Sequence, residues 1–135
     1  MSCETECFAA ALRRVFGESF TAAHADALLA SPAVQAADFA DGAVLFADGT
    51  PATLGVLVRG GAEIVRIGAC GEVLLRTLGA GDVFGAAALF GRESAGTAVR
   101  ARGSARAVFL PRATVEAVFA ADARTARGYI AFLSE

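Results

Sequence analysis

Apolar residues recur every three or four positions near the start of the chain. Phe8, Ala11, Leu12, Val15 and Phe16 fall on one stripe, which predicts a helix over Cys7–Phe16 with Gly17 as its stop. Thr21 is placed to cap a second helix reaching Leu29, with Ala25, Leu28 and Leu29 inward. Ser31-Pro32 ends it, because proline cannot continue the hydrogen-bond ladder. From Val34 the period changes to two. The runs Val34–Phe39, Ala43–Phe46, Leu54–Arg59, Ala62–Ile67, Glu72–Leu78, Thr97–Arg102 and Arg106–Leu110 read as short strands. Turn signals separate them at Asp41-Gly42, Asp48-Gly49, Gly60-Gly61, Gly68 to Gly71, Gly79 to Asp82 and Gly103-Ser104. Short strands at this spacing indicate an all-β sandwich, roll or barrel. Ala62–Ile67 and Glu72–Leu78 flank a glycine-bearing connection and predict a hairpin. Gly85 to Phe90 has helix-forming composition and predicts a short helix starting at a glycine. After Pro111 the pattern is helical again, over Ala113–Ala121 and from Ala123 onward.

Composition narrows the classes. The 135 residues fit one domain. Alanine supplies 33 of them, so the high apolar fraction does not signal a membrane protein. The longest stretch without a charge, Ala27 to Ala37, is eleven residues, too short to span a bilayer. No signal peptide opens the chain, and a cytoplasmic location is expected. All 12 basic residues are arginine, and the net charge of −2 argues against a nucleic-acid surface in this segment. Cys3, Cys7 and Cys70 are too few for a disulfide framework, and His24 is the sole histidine. That composition removes most metallo-enzymes and triad hydrolases. A cupin enzyme, which shares a β-roll shape, needs several strand histidines. The aspartates at 26, 38, 41, 48 and 82 fall mostly at turns or helix ends, where they cap backbone N–H groups.

Several segments occur in a telling order: Asp41 to Phe46, Leu57 to Gly61, Gly79-Ala80-Gly81-Asp82-Val83-Phe84-Gly85, Gly81 to Phe90, Ala98 to Ala101 and Ala107 to Pro111. Together they resemble the cyclic-nucleotide-binding domain of Crp/Fnr-type bacterial transcription regulators, from about Leu12 to Glu135. The resemblance implies a mainly β fold: an antiparallel β-roll (double-stranded β-helix, jelly-roll-like) with flanking α-helices over residues 1–127. Residues 128–135 would start a dimerisation helix.

In that family a short helix after the Gly-Asp-x-Phe-Gly turn cradles a cyclic phosphate through backbone N–H groups. A glutamate holds the ribose hydroxyl, and an arginine pairs with the phosphate. Here those positions are Ala86 and Ala95. The implied effector pocket is therefore a degenerate cassette: Phe84, Gly85, Ala86, Ala87, Ala88, Leu89, Arg92, Ala95, Gly96 and Thr97. Specific binding of cyclic AMP or cyclic GMP is not expected. Either the pocket is retained packing, or it binds another small effector with Arg92 reaching an anion and Ala86 to Phe90 forming an apolar wall. Some relatives hold an iron–sulfur cluster with amino-terminal cysteines, but such clusters usually take four thiolates. No cofactor and no metal site is expected, and Cys3 and Cys7 are read as residues sharing a helix face.

Tyr129, Ile130 and Leu133 form an apolar stripe near the C-terminus. In the family this stretch opens the helix that makes a homodimer and leads to a helix-turn-helix, here absent from the sequence. The chain reads as a regulator cut to its sensor half: allosteric, non-catalytic, with an unidentified small-molecule effector, no membrane partner, and DNA reached only through that missing domain. The alternative is a stand-alone interaction or regulatory module without a DNA role.

Overall fold

The computed structural model describes residues 3–47, 53–90 and 96–134. Two helices come first. α1 (Cys3–Phe16) starts four residues before its predicted beginning, and its stripe Phe8, Ala11, Leu12, Val15 and Phe16 is buried. Glu4 and Glu6 in its first turn and Arg13 and Arg14 in its last complement the helix dipole. α2 (Ala22–Ala30) is capped by Thr21. The Thr21 hydroxyl accepts from the His24 N–H at 3.4 Å, and His24 Nδ1 accepts from the Thr21 N–H at 3.0 Å. Within α2 only Ala25 is buried; Leu28 and Leu29 are half-buried against the core.

Among the described residues six antiparallel strands follow: β1 (Gln35–Phe39), β2 (Val44–Ala47), β3 (Thr53–Gly68), β4 (Gly71–Leu78), β5 (Val83–Phe84) and β6 (Thr97–Pro111). The sheet order is β1-β6-β3-β4, with β2 also on β6 and β5 on β3. The roll with flanking helices expected from the sequence is thus the fold, but two of its strands are longer than predicted. Gly60-Gly61 and Gly103-Ser104 do not end strands. They lie inside β3 and β6, where the β3–β6 register shifts between Leu57 and Arg59 and again between Arg59 and Gly61. Across the second shift β3 advances from Arg59 to Gly61 while β6 retreats from Arg106 to Arg102. Such bulges bend and twist a strand without breaking it, and they curl a sheet into a roll. The same bend lets β6 pair with β1 through Ala105–Phe109 and with β2 through Ala98–Arg100. The predicted β3–β4 hairpin forms, closing at the Gly68–Gly71 pair around Ala69-Cys70.

Side chains alternate along β3 and β6 between two cores. Leu54, Val56, Val58, Val108 and Leu110 meet α1, α2 and the C-terminal helices. Leu57, Ala62, Val99, Ala101, Ala105 and Ala107 face the roll interior. α3 (Arg112–Ala121) and α4 (Ala123–Leu133) complete the chain. Asp122 sits between them, and its carboxylate accepts from the Arg124 N–H at 3.0 Å. Paired with the Arg124 guanidinium, that carboxyl titrates below its ordinary range. α4 crosses α1 closely: a Cβ on Gly128 would stand 2.3 Å from the Phe16 carbonyl oxygen. It runs unbroken through residues 127 and 128, the boundary expected between roll and dimerisation helix.

Candidate effector site

The cassette segment is tied to β3 before it turns. Gly81 N–H donates to Leu57 C=O at 2.7 Å, and Leu57 N–H donates to Asp82 C=O at 2.9 Å. The Asp82 carboxylate accepts from Gly79 N–H at 2.7 Å, so Asp82 builds the turn. β5 then pairs Phe84 with Gly55 and Val83 with Val56. Gly85 follows with φ +81°, a conformation that favours glycine. A Cβ there would stand 2.6 Å from the Thr53 carbonyl oxygen.

The helix predicted over Gly85 to Phe90 is a correction. Only Ala88–Phe90 is helical, as a single 3₁₀ turn, with Leu89 N–H donating to Gly85 C=O at 3.1 Å. The alanine-rich composition favours a helix, but so short a segment cannot repay the cost of nucleating an α-helix. Ala86 and Leu89 are buried in the helix-side core, Ala88 is half-buried and Ala87 is exposed. Gly96 and Thr97 lie beside the β3–β4 hairpin: Ile67 N–H donates to Gly96 C=O at 2.7 Å, and Thr97 pairs with Arg66. Arg92 and Ala95 lie outside the described residues.

Phenylalanines line the roll. Ring centroids are 6.0 Å apart for Phe39–Phe109, 5.9 Å for Phe84–Phe109 and 6.5 Å for Phe46–Phe84. Phe39, Phe46 and Phe109 are half-buried against the roll-interior core. Cross-strand register puts Phe39, Phe84 and Phe109 on one face, a relation that alternation within each strand does not carry.

Tyr129 connects the site to the helices. It is 3% exposed, and its hydroxyl donates to the Ala86 carbonyl. Burial pushes its pKa up to about 12. Its ring packs against Phe119 at 5.3 Å and Phe16 at 6.3 Å. The stripe expected from Tyr129, Ile130 and Leu133 is therefore divided: Tyr129 belongs to its own chain's core, and Ile130 and Leu133 are exposed. α1 also touches the cassette turn, through Arg14 at 3.9 Å from Asp82 and through Cys7. The Cys7 thiol donates to Leu57 C=O at 3.8 Å, and desolvation raises its pKa. Cys3 and Cys70 are exposed. Among the described residues no group of three or more His, Cys, Asp or Glu side chains could hold a metal ion. A separate groove of about 470 Å³ lies between α2 and α3, lined by Phe20, His24, Leu28, Ala117 and Val118 among others.

Residues 37–122, more than half of the chain, match the cyclic nucleotide-binding domain family. The chain belongs to that family. No curated protein sequence matches it. Solved structures share its fold. The sensor domain of the transcriptional regulator DNR from Pseudomonas aeruginosa aligns with a TM-score of 0.78 and 21% identity, over 96% of this chain and 88% of that one. The N-terminal domain of a transcriptional regulator from Streptomyces coelicolor A3(2) gives 0.73 and 18%, over 93% and 89%. The Thermus thermophilus catabolite activator protein gives 0.73 and 21%, and there the match spans 92% of this chain but only 56% of that one. This cyclic nucleotide-binding domain thus has the fold of Crp/Fnr-type sensor domains. Among its described residues no helix is long and apolar enough to cross a membrane.

Proposed function

We propose that this cyclic nucleotide-binding domain is the effector-sensing, non-catalytic part of a Crp/Fnr-type transcription regulator, and that its effector is not a cyclic nucleotide. The observation that carries this reading is the hydrogen bond from Tyr129 to the Ala86 carbonyl. It joins α4 to the turn that would meet a ligand. An effector that favours one arrangement of that turn favours one orientation of α4, provided its affinity differs between the two states. Gly128 and the residues after it then open the helix that pairs two copies, with Ile130 and Leu133 on its exposed side. DNA is contacted by a helix-turn-helix outside residues 1–135.

The second half of the proposal rests on Ala86 and Ala95. A hydrogen bond involving a charged group is worth about 1.5–3 kcal/mol. Loss of both the phosphate arginine and the ribose glutamate weakens a micromolar site to roughly the millimolar range. Hydrogen exchange tests the coupling. In Tyr129→Phe, amides of both the 85–90 turn and α4 should exchange faster together. Faster exchange confined to α4 would sever the link and remove the reading.

A further inference from the structure

The cross-strand register sets one row of residues across the inner face of the roll. Phe46 pairs with Val99, Val99 with Ile64, and Ile64 with Arg76. Residues directly opposite one another in a sheet share a face. Phe46, Val99 and Ile64 belong to the roll-interior cluster, so Arg76 stands on that same inner face. The row begins next to the cassette: a Cβ on Gly85 would lie 3.6 Å from the Phe46 ring. It ends three strands away, about 14 Å along the sheet at ~4.8 Å per strand. Arg66 is two residues beyond Ile64 on β3 and so shares the inner face.

Both arginines are exposed, and neither makes an ion pair among the described residues. The acidic side chains of this hairpin are engaged elsewhere. Glu63 and Glu72 both bind Arg100, at 3.2 Å and 2.8 Å, and Glu63 and Arg100 are register partners one position away from the Ile64–Val99 pair, on the opposite face. The inner face therefore carries an apolar strip with positive charge at its outer end and no compensating carboxylate beside it on the hairpin.

We propose that this strip binds a molecule with an apolar body and a single anionic group, the body lying along Phe46, Val99 and Ile64 and the anion held by Arg76 with Arg66 beside it. The inference rests on the roll being the effector site, and it places the anion at the hairpin, away from the Ala86 turn. A planar guanidinium suits carboxylate, sulfonate or phosphate oxygens equally, so the shared chemistry is an oxyanion on an apolar frame.

Two fluorescent probes separate the terms. 1-Anilinonaphthalene-8-sulfonate has an apolar body and one oxyanion, and N-phenyl-1-naphthylamine has nearly the same body without it. Each is titrated against the wild-type chain and against Arg76→Gln, Arg66→Gln and Arg102→Gln, with the Ile64 and Val99 methyl resonances followed by NMR. Both probes should shift those methyls. Arg76→Gln should weaken the sulfonate probe about tenfold, Arg66→Gln less, and Arg102→Gln, an exposed arginine outside the strip, by under about twofold. The neutral probe should bind every variant alike. If the neutral probe shifts the methyls but sulfonate binding is unchanged in Arg76→Gln, or falls equally in Arg102→Gln, the anion assignment fails while the effector reading stands. If neither probe shifts the Ile64 and Val99 methyls, the roll is not a ligand site and both fail.

Discussion

Replacing Tyr129 by phenylalanine removes one oxygen and nothing else. The ring contacts to Phe16 and Phe119 survive, and the Ala86 carbonyl loses its donor in a place that water does not reach: Tyr129 is 3% and Ala86 8% exposed. A typical hydrogen bond contributes about 0.5–1.5 kcal/mol net, and leaving its partner buried and unsatisfied costs about 1–3 kcal/mol. Tyr129→Phe should therefore lower unfolding stability by about 1–3 kcal/mol. Tyr129→Ala, which also empties the space between α1 and α3, should cost about 3–5 kcal/mol in the way of other large aromatic deletions. Urea denaturation followed by circular dichroism measures both, with an unchanged m-value required for the comparison. The same hydroxyl predicts a pH dependence. Its folded pKa lies above the ordinary tyrosine value, so the stability it contributes is complete below about pH 10 and is lost as pH rises toward about 12. Tyr129→Phe should lack that alkaline step. A variant within about 0.5 kcal/mol of wild type, below the smallest expected cost of an unsatisfied carbonyl, together with an unchanged alkaline step, would refute the contact.

Gly128→Val should destabilise the fold by about 1–3 kcal/mol in thermal or urea unfolding, since its Cβ would stand 2.3 Å from the Phe16 carbonyl oxygen. Gly128→Ala should also destabilise, because the gain in helix propensity, about 1 kcal/mol, is smaller than the cost of separating α1 from α4. The three thiols should react with an alkylating reagent in two classes by mass spectrometry, Cys3 and Cys70 fast and Cys7 slow, because desolvation keeps Cys7 protonated. Leu133→Asp should change unfolding stability by about 0.5 kcal/mol or less, as Leu133 is exposed, while reducing any self-association measured by analytical ultracentrifugation.

The roll and its helices were legible because the apolar period switches cleanly from 3.6 to 2 and back. The stripe of α1 appears residue for residue in the buried set. The two long strands were not legible as such, since Gly60-Gly61 and Gly103-Ser104 look like turns, and only the partner strand's register shows them to be bulges. The single 3₁₀ turn was hidden for the opposite reason: alanine composition argues for a helix, but so short a segment does not repay the cost of helix nucleation. Pattern also grouped Tyr129 with Ile130 and Leu133. Apolar character is the same for an intrachain core and for an interface between copies, and the burial of Tyr129 against Phe16, Phe119 and the Ala86 carbonyl distinguishes them. The Phe46–Val99–Ile64–Arg76 row depends on the pairing of four strands, which no local spacing carries.

The most direct test of the account is isothermal calorimetry of the chain with cyclic AMP and, separately, cyclic GMP at physiological salt. With alanine at positions 86 and 95, neither nucleotide should give a saturable isotherm below the millimolar range, consistent with a loss of about 3–6 kcal/mol from two charge-assisted contacts. A dissociation constant below about 10 µM for either would contradict it, and would show that other side chains hold the phosphate and ribose in an intact nucleotide site.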